Sequence, residues 1–218
     1  MRLSMFAVKP LLTGTVLLQI TVSYASQGRS LRDRTMKAGD RIRERLTRPI
    51  TLIGLMGSGK SLVGRQLATT LDLPFTDSDQ VVEAIAGISI ADIFDLAGEA
   101  KFREMEQRAI SETMESGICV LSVGGGAVCH PDTAALLKER SILVWLKASP
   151  ETLLSRIGST ASRPLLHRND PLAALKHLAE ARADDYAIAD VVITTDGMSG
   201  TTATNAVLRA LDSHLAVP

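Results

Sequence analysis

Aromatic residues are scarce in this chain: four Phe, two Tyr and one Trp in 218 residues, or 3%. Since 45% of the residues are hydrophobic, the core has to be aliphatic, which suits buried parallel strands of Val, Ile and Leu. Cysteine is scarcer still. Cys119 and Cys129 make neither a disulfide framework nor a zinc cluster, so free thiols in a reducing compartment are the simpler reading. The four histidines, His130, His167, His177 and His214, show no ligand spacing. Trp145 falls in an apolar run and reads as core. No stretch is long enough to span a bilayer. Leu11 to Val22 is apolar but interrupted by Gln19, and its twelve residues fall short of the about 20 that a crossing requires.

Net charge is also lacking, with 24 Lys/Arg against 24 Asp/Glu, but the balance hides an asymmetry. Residues 1–48 carry ten basic and three acidic residues, leaving fourteen against twenty-one for the body. An acidic body is a poor match for nucleic acid, which calls for a basic face. The first 48 residues read as an extension outside the fold, with Arg41 to Arg48 a solvated lead-in. Three readings of the extension fit: a secretory-type signal with Ser23-Tyr24-Ala25 as cleavage site, an organelle transit peptide without acids before Asp33, or translation starting later, for instance at Met36.

What the chain does have is Gly54-Leu55-Met56-Gly57-Ser58-Gly59-Lys60-Ser61, a match to G-x-x-x-x-G-K-[ST]. The apolar run Ile50 to Ile53 precedes it, and Val63, Leu67 and Leu71 follow at helical spacing. Strand, glycine loop and helix form the phosphate cradle: backbone N–H groups and a helix N-terminus face an anion. Gly57, Ser58, Gly59, Lys60, Ser61 and Leu62 are the candidate ATP-binding residues. Lys60 would reach the β- and γ-phosphates, and the Ser61 hydroxyl would ligate Mg²⁺.

From residue 49 to 218 the chain reads as one α/β domain with five mostly parallel strands alternating with helices. Strands are expected at 50–53, 75–76, 118–123, 141–146 and 191–194. Helices are expected at 62–71, 81–85, 89–96 (capped by Ser89 with Asp92), 99–115, 131–140, 150–157, 171–186 and 201–215. Residues 158–170 lack a period and read as a lid.

Three groups carry further chemistry. Asp77 and Asp79 leave the second strand at its carboxyl end, where open α/β sheets place ligands. One could serve the metal while the other orients an acceptor hydroxyl and takes its proton; strand-exit turn chemistry is the alternative. Gly124-Gly125-Gly126 follows the third strand and lets backbone amides approach a small ligand. Arg103, Arg163 and Arg182 are the arginines suited to bidentate binding of carboxylate or phosphate. A catalytically silent nucleotide-binding module would also carry a P-loop, but intact Lys60, Ser61, Asp77 and Asp79 argue against it.

In order and with fitting gaps over residues 50–196, the motifs G-L-M-G-S-G-K-S, D-S-D, S-I-A-D-I-F…G-E…F-R-E-M-E, L-S-V-G-G-G-A-V, R-P-L-L and A-R-A-D-D-Y resemble those of shikimate kinases. The resemblance implies transfer of the γ-phosphoryl group of ATP to the 3-hydroxyl of shikimate, on the route to chorismate and aromatic amino acids. It implies Lys60, Asp79 and Arg163 as catalytic residues, with Asp79 the base. Arg103 and Arg182 would grip the shikimate carboxylate with help from Gly124, Gly125 and Gly126. Ser61 and Asp77 would serve Mg²⁺, Glu106 would support the substrate arginines, and Arg156 and Arg163 would contact ATP. Leu62 stands where the family often has Thr, and no arginine occurs at 196–199, where many members place one by the adenine. A monomer is the family expectation, the need for ATP favours the cytoplasm, and neither a nucleic-acid nor a membrane partner is expected. Another small-metabolite P-loop kinase, such as a gluconate kinase, is the runner-up, and the Arg103, Gly125 and Arg182 set argues against it.

Overall fold

A computed structural model describes residues 38–157 and 170–216. Five strands, β1 (Ile50–Ile53), β2 (Phe75–Asp77), β3 (Val120–Ser122), β4 (Ile142–Lys147) and β5 (Val191–Thr194), form one sheet in the order β2-β3-β1-β4-β5. Every pairing is parallel, with Ile50 opposite both Val120 and Ile142, Asp77 opposite Ser122 and Val144 opposite Val191. The five strands and the α/β class match the expectation, and "mostly parallel" becomes wholly parallel. The chain leaves β1 for one side of the sheet and crosses to the other between β3 and β4. The switch point therefore lies at β1, where such sheets open a ligand crevice.

Helices cover both faces. On one side lie α1 (38–45), α2 (Lys60–Leu71) and α9 (Gly200–His214). Ile50 and Leu52 of β1 and Ile142, Val144 and Leu146 of β4 pack there with Val63, Leu67, Val207 and Leu211. On the other side, Ile53, Leu121 and Leu143 pack with Ile110 of α4 (Ile90–Glu115), Leu137 of α5 (Pro131–Arg140), Leu153 of α6 (Pro150–Ile157) and Leu175 of α7 (Pro171–Ala181). Alternate residues of one strand serve opposite clusters, the period of two that a pleated strand imposes. The core is aliphatic as the composition requires, with Tyr186 and Phe102 as buried aromatic exceptions.

Four differences from the sequence expectation have physical causes. Arg41 to Arg48 is not a solvated lead-in. Residues 38–45 are helical, Ile42 is 0% and Leu46 6% exposed in the first core cluster, and Arg41 and Arg45 pair with Asp212 of α9. The helices expected at 89–96 and 99–115 run on as α4 across a kink. Gly98, at φ 78° and ψ 172°, makes the break the sequence showed, and Ser89 and Asp92 close the expected capping box. The third strand is shorter than 118–123, with Ile118 exposed before it. The helix expected over 171–186 divides at Arg182 into α7 and a short α8 (Ala183–Tyr186). Residues 158–169, which include Arg163 and nearly all of the expected lid, lie outside the described residues. Asp170 caps α7 by accepting from the Ala173 N–H.

Candidate active site

The carboxyl ends of β1, β2 and β3 open into a cleft of about 680 Å³. Its walls bring together the P-loop, Asp77, Asp79, the three glycines and Arg103, Arg156 and Arg182. Met56 and Arg182, 126 positions apart in the sequence, thus line the same cleft.

The P-loop takes its shape from Gly57 and Gly59, whose φ values of 79° and 93° lie in the left-handed region open to glycine. Gly59 is the N-cap of α2, so the first turn of that helix points its free N–H groups into the loop. Lys60 Nζ donates to the Gly54 carbonyl at 2.7 Å and the Leu55 carbonyl at 3.2 Å. The Ser61 hydroxyl donates to Asp77 Oδ2 at 2.8 Å, uniting the two expected metal ligands. Both are hard oxygen donors, a set that suits Mg²⁺ completed by water and phosphate oxygens. Among the described residues no cluster of three His, Cys, Asp or Glu side chains offers an alternative cation site. Leu62 is 54% exposed on the rim.

Asp77 ends β2 and caps α3 (Ser78–Ala86), accepting from the Asp79 N–H. Turn chemistry and site chemistry therefore coexist in D-S-D. Asp79 stands in the first turn of α3 and lines the cleft. Burial, then the negative charges of Asp77 and Glu106, push its pKa up to about 6, against the opposing pull of Lys60. Ser78, missed in the sequence, is 1% exposed, and its hydroxyl accepts from the Gly124 N–H.

The glycines are required for a reason beyond ligand approach. A Cβ on Gly124 would lie 2.5 Å from Glu106 Oε1 and 3.0 Å from Asp79 Oδ1, and one on Gly126 would lie 2.7 Å from an Arg103 nitrogen. The protein's own charged groups occupy the space that side chains would take.

Arg103 Nη1 donates to Glu106 Oε2 at 2.7 Å, and its Nε and Nη2 donate to Glu99 Oε1. Glu106 is 1% exposed, and its Oε1 has no hydrogen-bond partner among the described residues. Burial raises its pKa despite the arginine beside it. Glu99, one helical turn before Arg103, was legible only as part of G-E. Arg182 Nη1 donates to the Gly125 carbonyl at 3.0 Å. Arg156 donates to the Thr195 hydroxyl and carbonyl and to the Met198 carbonyl, tying α6 to the loop after β5. Arg163, the remaining candidate, is outside the described residues.

The family model described as shikimate kinase matches residues 56–212. A shikimate kinase of Novosphingobium aromaticivorans is 42% identical over 180 residues, covering 81% of this chain and 93% of that protein. One from Caulobacter vibrioides is 46% identical over 162 residues, covering 74% and 81%. Among solved structures, a shikimate kinase from Acinetobacter baumannii in complex with shikimate superposes with a TM-score of 0.73 at 34% identity, covering 76% of this chain and 93% of the other. The Aquifex aeolicus shikimate kinase gives a TM-score of 0.66 at 31% identity, covering 78% and 99%. With the same motifs converging on one cleft at the switch point of a parallel sheet, the chain belongs to the shikimate kinase family.

Proposed function

We propose that this cleft phosphorylates the 3-hydroxyl of shikimate with ATP, using the residues gathered there in separate roles. The observation that carries the reading is that Arg103 and Arg182 both lie against the glycine turn, Arg103 at Gly126 and Arg182 at the Gly125 carbonyl, with Asp79 and the P-loop on the same cleft. A small anionic polyol needs guanidinium groups for its carboxylate and a carboxylate for its hydroxyl.

Lys60 and the P-loop amides hold the ATP phosphates. Ser61 and Asp77 would hold Mg²⁺, which would supply charge neutralisation on the phosphates. Arg103, oriented by Glu99 and Glu106, and Arg182, held by Gly125, bind the substrate carboxylate and so fix the ring. Asp79 accepts the hydroxyl proton as the hydroxyl oxygen bonds to the γ-phosphorus and the bond to the ADP oxygen breaks. A carboxylate with a pKa near 6 is ionised at neutral pH and is a stronger base than an ordinary aspartate. Arg156 borders the nucleotide side, and Arg163 adds positive charge to the phosphates. The product feeds aromatic amino-acid synthesis.

Among the described residues no helix is long and apolar enough to cross a membrane. The monomeric state expected from the family and the cytoplasmic location favoured by the need for ATP belong to this proposal.

The test is ADP release by the full chain with Mg²⁺-ATP, with and without shikimate. Turnover that depends on shikimate is the expected result. Bound ATP with no stimulation by shikimate would reject the reading and direct the search to other acceptors.

A further inference from the structure

Three consecutive glycines carry no side chains to restrict their peptides, so the turn after β3 has to be held from outside. The Gly124 carbonyl accepts from the Ala127 N–H and the Gly126 carbonyl from the Cys129 N–H, both at 3.1 Å and both within the local turn. Gly125 is held differently. Its carbonyl accepts from two side chains far along the chain, Arg182 Nη1 at 3.0 Å and the Tyr186 hydroxyl at 2.5 Å. Both lone pairs of that oxygen are thereby engaged. Tyr186 follows Arg182 by one helical turn, and its N–H donates to the Arg182 carbonyl. It is 1% exposed, and its ring stacks on Trp145 of β4 with centroids 5.4 Å apart.

We propose that Tyr186 is a positioning residue for the acceptor substrate: its buried hydroxyl fixes the Gly125 carbonyl, and that carbonyl fixes the Arg182 guanidinium that meets the substrate carboxylate. This rests on the carboxylate-binding role of Arg182 given above. The stack on Trp145 anchors the phenol to the sheet, so the hydroxyl is a rigid reference point. Burial pushes the Tyr186 pKa up to about 12, which keeps the hydroxyl protonated as a donor at any working pH. Without that donor, the Gly125–Gly126 peptide is free to turn and Arg182 loses its fixed partner. The substrate carboxylate then has to order the arginine as it binds.

Tyr186→Phe removes the hydroxyl alone and leaves the stacked ring in place. The KM for shikimate is expected to rise roughly three- to tenfold, the range of one neutral hydrogen bond, with the KM for ATP unchanged. Trp145 is the one tryptophan, so its emission reports directly whether the stack survives. Arg182→Lys serves as the reference variant and should raise the shikimate KM further. The double variant should be no worse than Arg182→Lys alone, because both act through one arginine. If Tyr186→Phe leaves the shikimate KM unchanged while Arg182→Lys raises it, Tyr186 is structural only and the proposal falls while the carboxylate reading stands. If shikimate and ATP KM values rise together, the effect is general and the proposal again falls. If Arg182→Lys itself leaves the shikimate KM unchanged, the carboxylate reading fails and takes the proposal with it.

Discussion

Asp79 shows how function and stability pull against each other at a single residue. Its pKa, raised to about 6 by burial and by Asp77 and Glu106, means the folded protein binds that proton more tightly than the unfolded chain does. Its contribution to stability is fully present below the ordinary aspartate range near 3.8 and is lost as pH rises through about 6. At neutral pH the ionised carboxylate is a burden of roughly 1–3 kcal/mol. Asp79→Asn should therefore lower kcat by about 10²–10⁴-fold, leave ATP affinity nearly unchanged, and melt no lower than the parent at pH 7. In the parent, kcat/KM should climb as pH rises through about 6 and then level off. Near-normal kcat in the variant would remove Asp79 as the base. Gly124 makes the complementary case. In Gly124→Ala, the new methyl would displace the carboxyls of Glu106 and Asp79, with a loss of stability of about 1–3 kcal/mol from overpacking. Thermal melting and shikimate-dependent turnover should fall together. A fully active variant would show that both carboxyls can move without consequence.

At the scale of elements, strong local signals were legible and distant partnerships were not. The five strands and the P-loop helix announced themselves as apolar runs and helical spacing bounded by Gly and Pro, and Gly98 and the Ser89–Asp92 cap were readable as chain punctuation. The site motifs were legible because their chemistry is compressed into a few adjacent residues, as in D-S-D and the P-loop. α1 was missed because Ile42 and Leu46 are two apolar residues among arginines, too sparse a stripe to separate from a solvated segment. What buries them is a face shared by α2 and α9, and α9 lies more than 150 residues further along the chain. The tie from Tyr186 to Gly125 spans 61 positions and leaves no periodic trace. α1 is therefore part of the domain. Ile42→Ala should destabilise by about 2–4 kcal/mol while leaving the KM for both substrates unchanged at temperatures where the variant is folded. A melting temperature equal to the parent's would mean that α1 does not pack as described.

For the whole molecule, the sheet divides the labour. β1 stands at the centre, and its glycine loop, Asp79 and the arginines line one cleft at the switch point, so the proposed sites for both substrates lie in a single domain. The P-loop hangs on β1 and α2, whereas Arg103 and Arg182, the arginines proposed to bind the acceptor, hang on α4 and the α7–α8 junction. Binding at either half stabilises the same cooperative core, so each ligand should raise the melting temperature by mass action. At about 100 times Kd this amounts to about 2.7 kcal/mol, or roughly 5–11 °C for a domain of this size. The halves can then be told apart within one molecule. Arg103→Ala removes a guanidinium paired with Glu106 and Glu99, and it leaves the buried Glu106 charge without its partner. That variant should melt lower than the parent, keep most of the upward shift given by Mg²⁺-ADP, and lose most of the shift given by shikimate. Thermal melts of parent and variant with each ligand alone measure both quantities. Equal loss of the two shifts would mean that Arg103 supports the cleft as a whole and that the substrate carboxylate is bound elsewhere.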